Sequence, residues 1–291
     1  MAGELGLRLP SPVQELVDDR LARHGVGLYL KRDDLIHPEV PGNKWRKLRL
    51  NLAAAAEGGY ATLLTFGGAY SNHIRATAAA GGLFGLSTVG VIRGEEHTPL
   101  NPSLAYAVSR GMRLAYLDRG AYRRKDSPET TNALRARFGE FYLLPEGGSN
   151  ELGVRGCAEL PREIDVGFDV ICCACGTGGT LAGIAAGLRA GQRALGFSAL
   201  KGGQFLAAQV EDLQRRAFGA GSGNWTIECG FHFGGFARTT PELEAFVSGF
   251  QARHGLVLER VYVAKMLAGV FALADQGAFA PGTTVVAVVT G

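Results

Sequence analysis

Lys44 stands in the stretch Pro41-Gly42-Asn43-Lys44-Trp45-Arg46-Lys47-Leu48, directly after a glycine and at the start of a run with helical spacing. Trp45, Leu48 and Leu52 recur at helical intervals, and the alanines at 53–56 extend a strong helix-forming run, so a helix is predicted from here. A cation in the first turn of a helix opposes the positive end of the helix dipole. An amine that condenses with an aldehyde becomes a Schiff base and removes that conflict, so the placement suits covalent capture of a carbonyl compound.

Such a compound would need an anchor, and the sequence Cys175-Gly176-Thr177-Gly178-Gly179-Thr180-Leu181-Ala182-Gly183 offers one. It follows a predicted strand over 169–174 and opens a predicted helix over 178–189. Strand, glycine turn and helix together aim backbone N–H groups at a phosphate, and the hydroxyls of Thr177 and Thr180 add donors. The dinucleotide fingerprint G-x-G-x-x-G is incomplete here and no acidic ribose-binding residue follows it, which argues against an NAD-dependent oxidoreductase. No Gly-Lys-Ser/Thr follows either, which excludes a P-loop.

Gly67-Gly68-Ala69-Tyr70-Ser71-Asn72-His73 is a second strand-to-helix turn. Ser71 reads as a helix cap, and the hydroxyl, the Asn72 amide and free helix N–H groups together suit a carboxylate or phenolate oxygen. A third turn, Pro145-Glu146-Gly147-Gly148-Ser149-Asn150, ends another strand. Ligands of open parallel sheets collect at the carboxyl ends of strands, so several turns could converge on one cleft. His73 and His232 have no carboxylate or cysteine at ligand spacing and read as structural histidines, with no metal site.

The elements that must position these residues alternate. Strands are predicted over 26–31, 61–66, 87–92, 112–117, 141–144, 169–174, 193–199 and 283–289. Helices are predicted over 13–24, 71–83, from 101, and over 128–138, 150–164, 178–189, 204–218, 241–254 and 262–275, after an extended lead-in over 5–9. Short apolar strands between longer helices give parallel sheets covered on both faces, hence an α/β fold.

With 291 residues the chain is long enough for one large domain or two smaller ones. A net charge of +3 is too small to argue for nucleic acid. No apolar run approaches the roughly 20 residues that cross a bilayer, and no signal-peptide layout opens the chain, so a cytoplasmic location is expected. Cys172, Cys173 and Cys175 crowd one apolar run while Cys157 and Cys229 lie apart, a spacing that suits buried thiols in a reducing compartment.

Taken together, these motifs resemble the fold-type II pyridoxal-phosphate (PLP) enzymes, in the branch that contains 1-aminocyclopropane-1-carboxylate (ACC) deaminase and D-cysteine desulfhydrase. The resemblance runs nearly end to end: Lys31-Arg32-Asp33-Asp34, Gly42-Asn43-Lys44, the turns at 67–73 and 145–150, the loop at 176–183, Phe231-His232-Phe233-Gly234-Gly235, Val261-Tyr262 with Ala264-Lys265, and Thr290-Gly291. It implies two open, twisted, mostly parallel sheets flanked by helices, as in the tryptophan synthase β fold. It further implies a large PLP-binding domain from 1–45 and 151–291, a small domain from 46–150, and an active site in the cleft between them.

The resemblance also implies roles. Lys44 would bind PLP covalently, be displaced by an amino-acid substrate and then act as base at the α-carbon. Asn72 would hydrogen-bond the phenolic oxygen of the cofactor. Cys175, Gly176, Thr177, Gly178, Gly179 and Thr180 would hold its phosphate, and Thr290 would meet the pyridine nitrogen. Tyr262 would lie against the ring or meet the substrate. Ser71, with the amides of Asn72 and His73, would receive the substrate carboxylate, and its hydroxyl could assist proton transfer. A homodimer is implied as well. The cationic neighbours Arg46 and Lys47 are expected to lower the Lys44 pKa.

Two positions depart from the ACC deaminase pattern. Val263 stands where a glutamate is expected to reach the pyridine nitrogen, and Phe231 and Phe236 occupy the region where a tyrosine is expected. Without that carboxylate the electron sink is shallower, which disfavours cyclopropane ring-opening. The preferred reading is elimination from D-cysteine, or a related β-substituted D-amino acid, to pyruvate, ammonia and sulfide. The alternatives are ACC deamination to 2-oxobutyrate and ammonia, and a PLP-binding protein without lyase activity.

Overall fold

The structure is a computed structural model that describes residues 6–290; Leu5 of the expected lead-in and Gly291 of the Thr290-Gly291 motif lie outside them. Its strands are β1 (Val13–Glu15), β2 (Gly27–Arg32), β3 (Thr62–Gly67), β4 (Ser87–Arg93), β5 (Met112–Leu117), β6 (Tyr142–Leu144), β7 (Val170–Cys175), β8 (Arg193–Ser198), β9 (Trp225–Glu228) and β10 (Thr284–Val289). Its helices are α1 (Asp19–Ala22), α2 (Gly42–Glu57), α3 (Asn72–Phe84), α4 (Pro102–Ser109), α5 (Arg119–Arg123), α6 (Pro128–Phe138), α7 (Glu151–Cys157), α8 (Gly179–Ala186), α9 (Leu206–Phe218), α10 (Pro241–His254) and α11 (Val263–Asp275).

Two sheets result. One has six strands in the order β1-β2-β10-β7-β8-β9 and the other four in the order β5-β4-β3-β6. Every neighbouring pair is parallel except β1 with β2. The larger sheet is apolar on both faces, as parallel sheets must be. Val170 and Cys172 of β7, with Val285, Ala287 and Val289 of β10, pack against α10 and α11. The alternate residues Ile171, Cys173, Cys175, Val286 and Val288 pack against α7, α8 and α9.

The chain leaves the large sheet after β2, builds the small sheet, and returns through α7. Helix α2 packs on α7 at backbone distance: a Cβ on Gly156 would lie 2.1 Å from the Arg46 carbonyl oxygen. An ion cluster fixes the crossover, with Arg46 Nε 2.6 Å from Asp33 Oδ2, Arg46 Nη1 2.8 Å from Glu163 Oε1, and the buried Lys31 Nζ 3.1 Å from Glu163 Oε2.

Two expectations are corrected. Residues 13–24 are not one helix. Val13, Gln14 and Glu15 pair antiparallel with Lys31, Leu30 and Tyr29, and the Asp18 side chain then caps the short α1 by accepting from Arg20 N. Residues 150–164 break after Cys157 into a 3-10 turn, Leu160–Glu163, at Pro161, which has no N–H to continue the helix. The edge strand β9 and the short α5 were not anticipated. Of the cysteines, 157, 172, 173 and 175 are buried, while Cys229 is half-buried.

Candidate active site

Helix α2 begins against the end of β10. Gly42 has φ +56°, and a Cβ there would lie 2.1 Å from the Thr290 carbonyl oxygen, so only glycine lets the helix start this close to Thr290. Two residues on, the Lys44 amine has no hydrogen-bond partner among the described residues. It keeps some contact with solvent, but protein encloses it on most sides. Burial, followed by the Lys47 cation, lowers its pKa to about 7, so an appreciable share of the amine is unprotonated near neutrality. Arg46 takes no part, contrary to expectation: its guanidinium turns away to Asp33 and Glu163.

A folded pKa of about 7 against an ordinary 10.5 means that the unfolded chain binds more protons between those limits. Stability of the cofactor-free protein should therefore rise with pH across that window. The rise should be smaller in Lys44→Met, as read from chemical-denaturation midpoints at pH 7, 8.5 and 10; an identical pH slope in the variant would contradict a depressed Lys44 pKa.

Lys47 follows Lys44 by almost one turn and so shares its helix face. It is 2% exposed and has no carboxylate partner among the described residues. Its Nζ donates to the Gly147 carbonyl at 3.0 Å and to Ser149 Oγ at 2.9 Å, and Ser149 Oγ lies 2.6 Å from Thr177 Oγ1. The amine also lies 3.1 Å from where a Gly179 Cβ would stand. The turns at 145–150 and 175–180 thus meet over one buried cation, whose pKa burial lowers.

The second of those turns is built for close approach. Gly178 caps α8 at φ +74°, where an added Cβ would strike Val210, and a Cβ on Gly179 would meet Ser149 Oγ at 2.6 Å. The N–H groups of Gly176, Thr177 and Gly178 find no backbone acceptor among the described residues. Those of Gly179 and Thr180 belong to the first turn of α8, where no intrahelical acceptor exists. Thr180 Oγ1 accepts from Asn43 Nδ2 at 2.9 Å, which ties α2 to α8. The Cys175 thiol points into the core toward the Cys173 carbonyl, so only its backbone belongs to the turn. Unsatisfied N–H groups around Lys47 fit a phosphate, and the unpartnered Lys44 amine fits an aldehyde. The residues present therefore suit PLP.

At the start of α3, Ser71 Oγ accepts from His73 N at 3.2 Å and Ile74 N at 3.3 Å. The His73 amide is thereby engaged, and among the first amides of α3 that of Asn72 is left over. A Cβ on Gly67 would come 2.8 Å from Ser71 Oγ, so that glycine lets the cap fold back on the strand end. The His73 ring is buried without a partner for either nitrogen among the described residues, and it lies against Gly148. Burial and then the Lys44 and Lys47 cations hold its pKa well below the usual value, so it is neutral.

On the opposite side Tyr262 reaches Gly176, whose Cβ would stand 3.2 Å from the phenol oxygen. Burial and the Glu259 carboxylate raise its pKa and keep it protonated. Phe236 meets its ring edge-on at 6.0 Å. Val263 is fully buried at the head of α11, and the Glu259 carboxylate accepts from the amides of Val261, Tyr262 and Val263. The residue that sequence reading undervalued is Lys47, taken only as a charge beside Lys44; its spacing of three was the available signal.

Two mostly parallel sheets flanked by helices, with a largely buried lysine pair beside a glycine-rich strand-to-helix turn, are the architecture of PLP-dependent enzymes of fold type II. The chain belongs to the family described as pyridoxal-phosphate dependent enzyme, which it matches over residues 8–291. It is 39% identical over 187 residues to a protein of Thermotoga maritima named putative 1-aminocyclopropane-1-carboxylate deaminase, a match covering 62% of this chain and 59% of that one, less than two thirds of its length. It is 31% identical over 283 residues, covering 90% of this chain and 70% of the other, to the bifunctional D-cysteine desulfhydrase/1-aminocyclopropane-1-carboxylate deaminase, mitochondrial, of Arabidopsis thaliana. A solved structure described as an ACC deaminase homologue superposes with a TM-score of 0.84 at 27% identity, over 98% of this chain and 90% of that one. No helix among the described residues is long and apolar enough to cross a membrane.

Proposed function

We propose that the enzyme eliminates the β-substituent of a small D-amino acid, with D-cysteine the first candidate, giving pyruvate, ammonia and sulfide. The observation that carries this reading is the unpartnered Lys44 amine, with a pKa of about 7, together with a buried valine at position 263. PLP, when bound, supplies an electron sink that acidifies the α-proton of an attached amino acid. The chain's own groups do the rest. The turn at 176–180 and Lys47 would hold the phosphate, Asn72 would hydrogen-bond the phenolic oxygen, and Thr290, at the end of β10 beside the start of α2, would supply a neutral hydroxyl to the pyridine nitrogen.

Ser71 and the Asn72 amide take the substrate carboxylate at the positive end of α3. Lys44, unprotonated in an appreciable share of molecules near neutrality, removes the proton from the α-carbon. The Cβ–S bond then breaks and its electron pair leaves with sulfur, and water converts the resulting 2-aminoacrylate to pyruvate and ammonia. Tyr262, kept protonated, packs against the site and excludes water. In this account 1–45 and 151–291 form the large cofactor-holding domain, 46–150 the small one, and two copies of the chain a homodimer.

The test is product analysis of the holoenzyme. D-Cysteine should yield pyruvate and sulfide in equal amounts, with little or no 2-oxobutyrate from ACC. Faster turnover of ACC would overturn the weight placed on Val263.

A further inference from the structure

Against the small sheet lies an open cavity of about 530 Å³ lined by Arg93, Arg119, Tyr122, Arg123, Lys125 and Glu146. That volume falls within the ~300–1,000 Å³ of small-molecule sites. Four cations face one carboxylate. Lys125 pairs with Asp126 at 3.3 Å and with Glu146 at 3.5 Å, while Arg93, Arg119 and Arg123 form no ion pair among the described residues. The three arginines, left without carboxylate partners, repel one another, and guanidinium forks match oxyanions by paired hydrogen bonds.

The floor of the cavity is Tyr122, which is 3% exposed. The Arg93 guanidinium stands 5.8 Å and Lys125 Nζ 5.4 Å from its ring centre. The Tyr122 hydroxyl is enclosed without a hydrogen-bond partner among the described residues, although the Glu146 carboxylate faces it. Burial and then that carboxylate raise its pKa, so the hydroxyl stays protonated, directed toward Glu146.

The cavity shares walls with the site of the proposed reaction. Arg93 ends β4, and its Nη2 lies 3.6 Å from where a Gly68 Cβ would stand, against the turn that carries Ser71. Glu146 begins the turn whose Gly147 and Ser149 bind Lys47. Its charge also reaches Tyr262.

We propose that this basic cavity receives an oxyanion carried at the far end of the substrate's β-substituent, so that the preferred substrates are β-substituted D-amino acids with a terminal phosphate or carboxylate. The inference rests on the elimination reading above and narrows its substrate class. With O-phospho-D-serine the same bonds change: Lys44 takes the α-proton, the Cβ–O bond breaks and phosphate leaves with the electron pair. Water then turns 2-aminoacrylate into pyruvate and ammonia.

The test uses PLP-loaded enzyme, so that the cofactor's own phosphate turn is filled. Inorganic phosphate is titrated by calorimetry into wild type, Arg119→Ala and Arg123→Ala. KM is then compared for D-cysteine, O-phospho-D-serine and S-carboxymethyl-D-cysteine. Phosphate should bind the wild type, with each variant weakening it about tenfold or more, as expected for loss of a charge-assisted bond. The ratio of KM for either anionic substrate to KM for D-cysteine should rise by a similar factor. Absent phosphate binding, binding that ignores both substitutions, or phosphate bound without competing against the anionic substrates would each overturn the assignment. Should no amino acid be turned over, the change in the cofactor's absorption on adding each one still ranks their affinities, which separates failure of the cavity from failure of the elimination reading.

Discussion

Replacing Lys44 by alanine is expected to leave a folded protein that no longer binds PLP covalently and that has lost turnover by about 10³-fold or more. The loss is large because one amine serves twice, as the attachment point and as the base at the α-carbon. The fold should tolerate the change. Lys44 holds no hydrogen bond among the described residues, and its depressed pKa shows that the native surroundings disfavour its charge. Absorption spectra of wild type and variant, with and without added PLP, check the first half, and keto-acid release checks the second. Wild-type activity in the variant would refute the role, and so would a shift in unfolding midpoint as large as the loss of a core residue.

Lys47→Met should separate cofactor affinity from fold stability. Lys47 is a buried cation with no carboxylate beside it, placed at the N-terminal end of α8 where free N–H groups already favour an anion. With the phosphate in place the two charges satisfy each other, and truncating one partner of such a pair costs about 2–5 kcal/mol. PLP should therefore dissociate about 30-fold more readily or worse. In the cofactor-free protein the sign differs, because removing an uncompensated buried charge offsets the lost hydrogen bonds to Gly147 and Ser149. The cofactor-free variant should unfold within about 1 kcal/mol of wild type. Equilibrium dialysis with PLP and denaturant unfolding of the cofactor-free forms read the two effects. Unchanged PLP affinity would remove Lys47 from the phosphate site.

The central strands of the large sheet, β2, β10, β7 and β8, and the glycine turns were legible because each carries its own local signal. β7 and β10 are continuous apolar runs, as strands buried on both faces must be, and the turn at 175–180 sits between strand and helix. What stayed hidden depends on contacts distant in the chain. Val13-Gln14-Glu15 becomes a strand only because β2 offers it an edge, and β10, last in sequence, slots between β2 and β7. Lys44, Arg46 and Lys47 look alike as neighbours in one cationic stretch. Helix geometry sends Lys47 to residues a hundred positions on and Arg46 to the opposite side, into the Asp33 and Glu163 carboxylates. Arg93, Arg119, Arg123 and Lys125 likewise carry no motif, and only the fold brings them into one cavity.

The most direct measurement of the central claim is reduction of the PLP-loaded protein with borohydride, followed by peptide mapping of the modified lysine. One pyridoxyl group per chain, on Lys44, is the expected result. A label on another buried lysine, Lys31, Lys47 or Lys265, or no label at all, would contradict it.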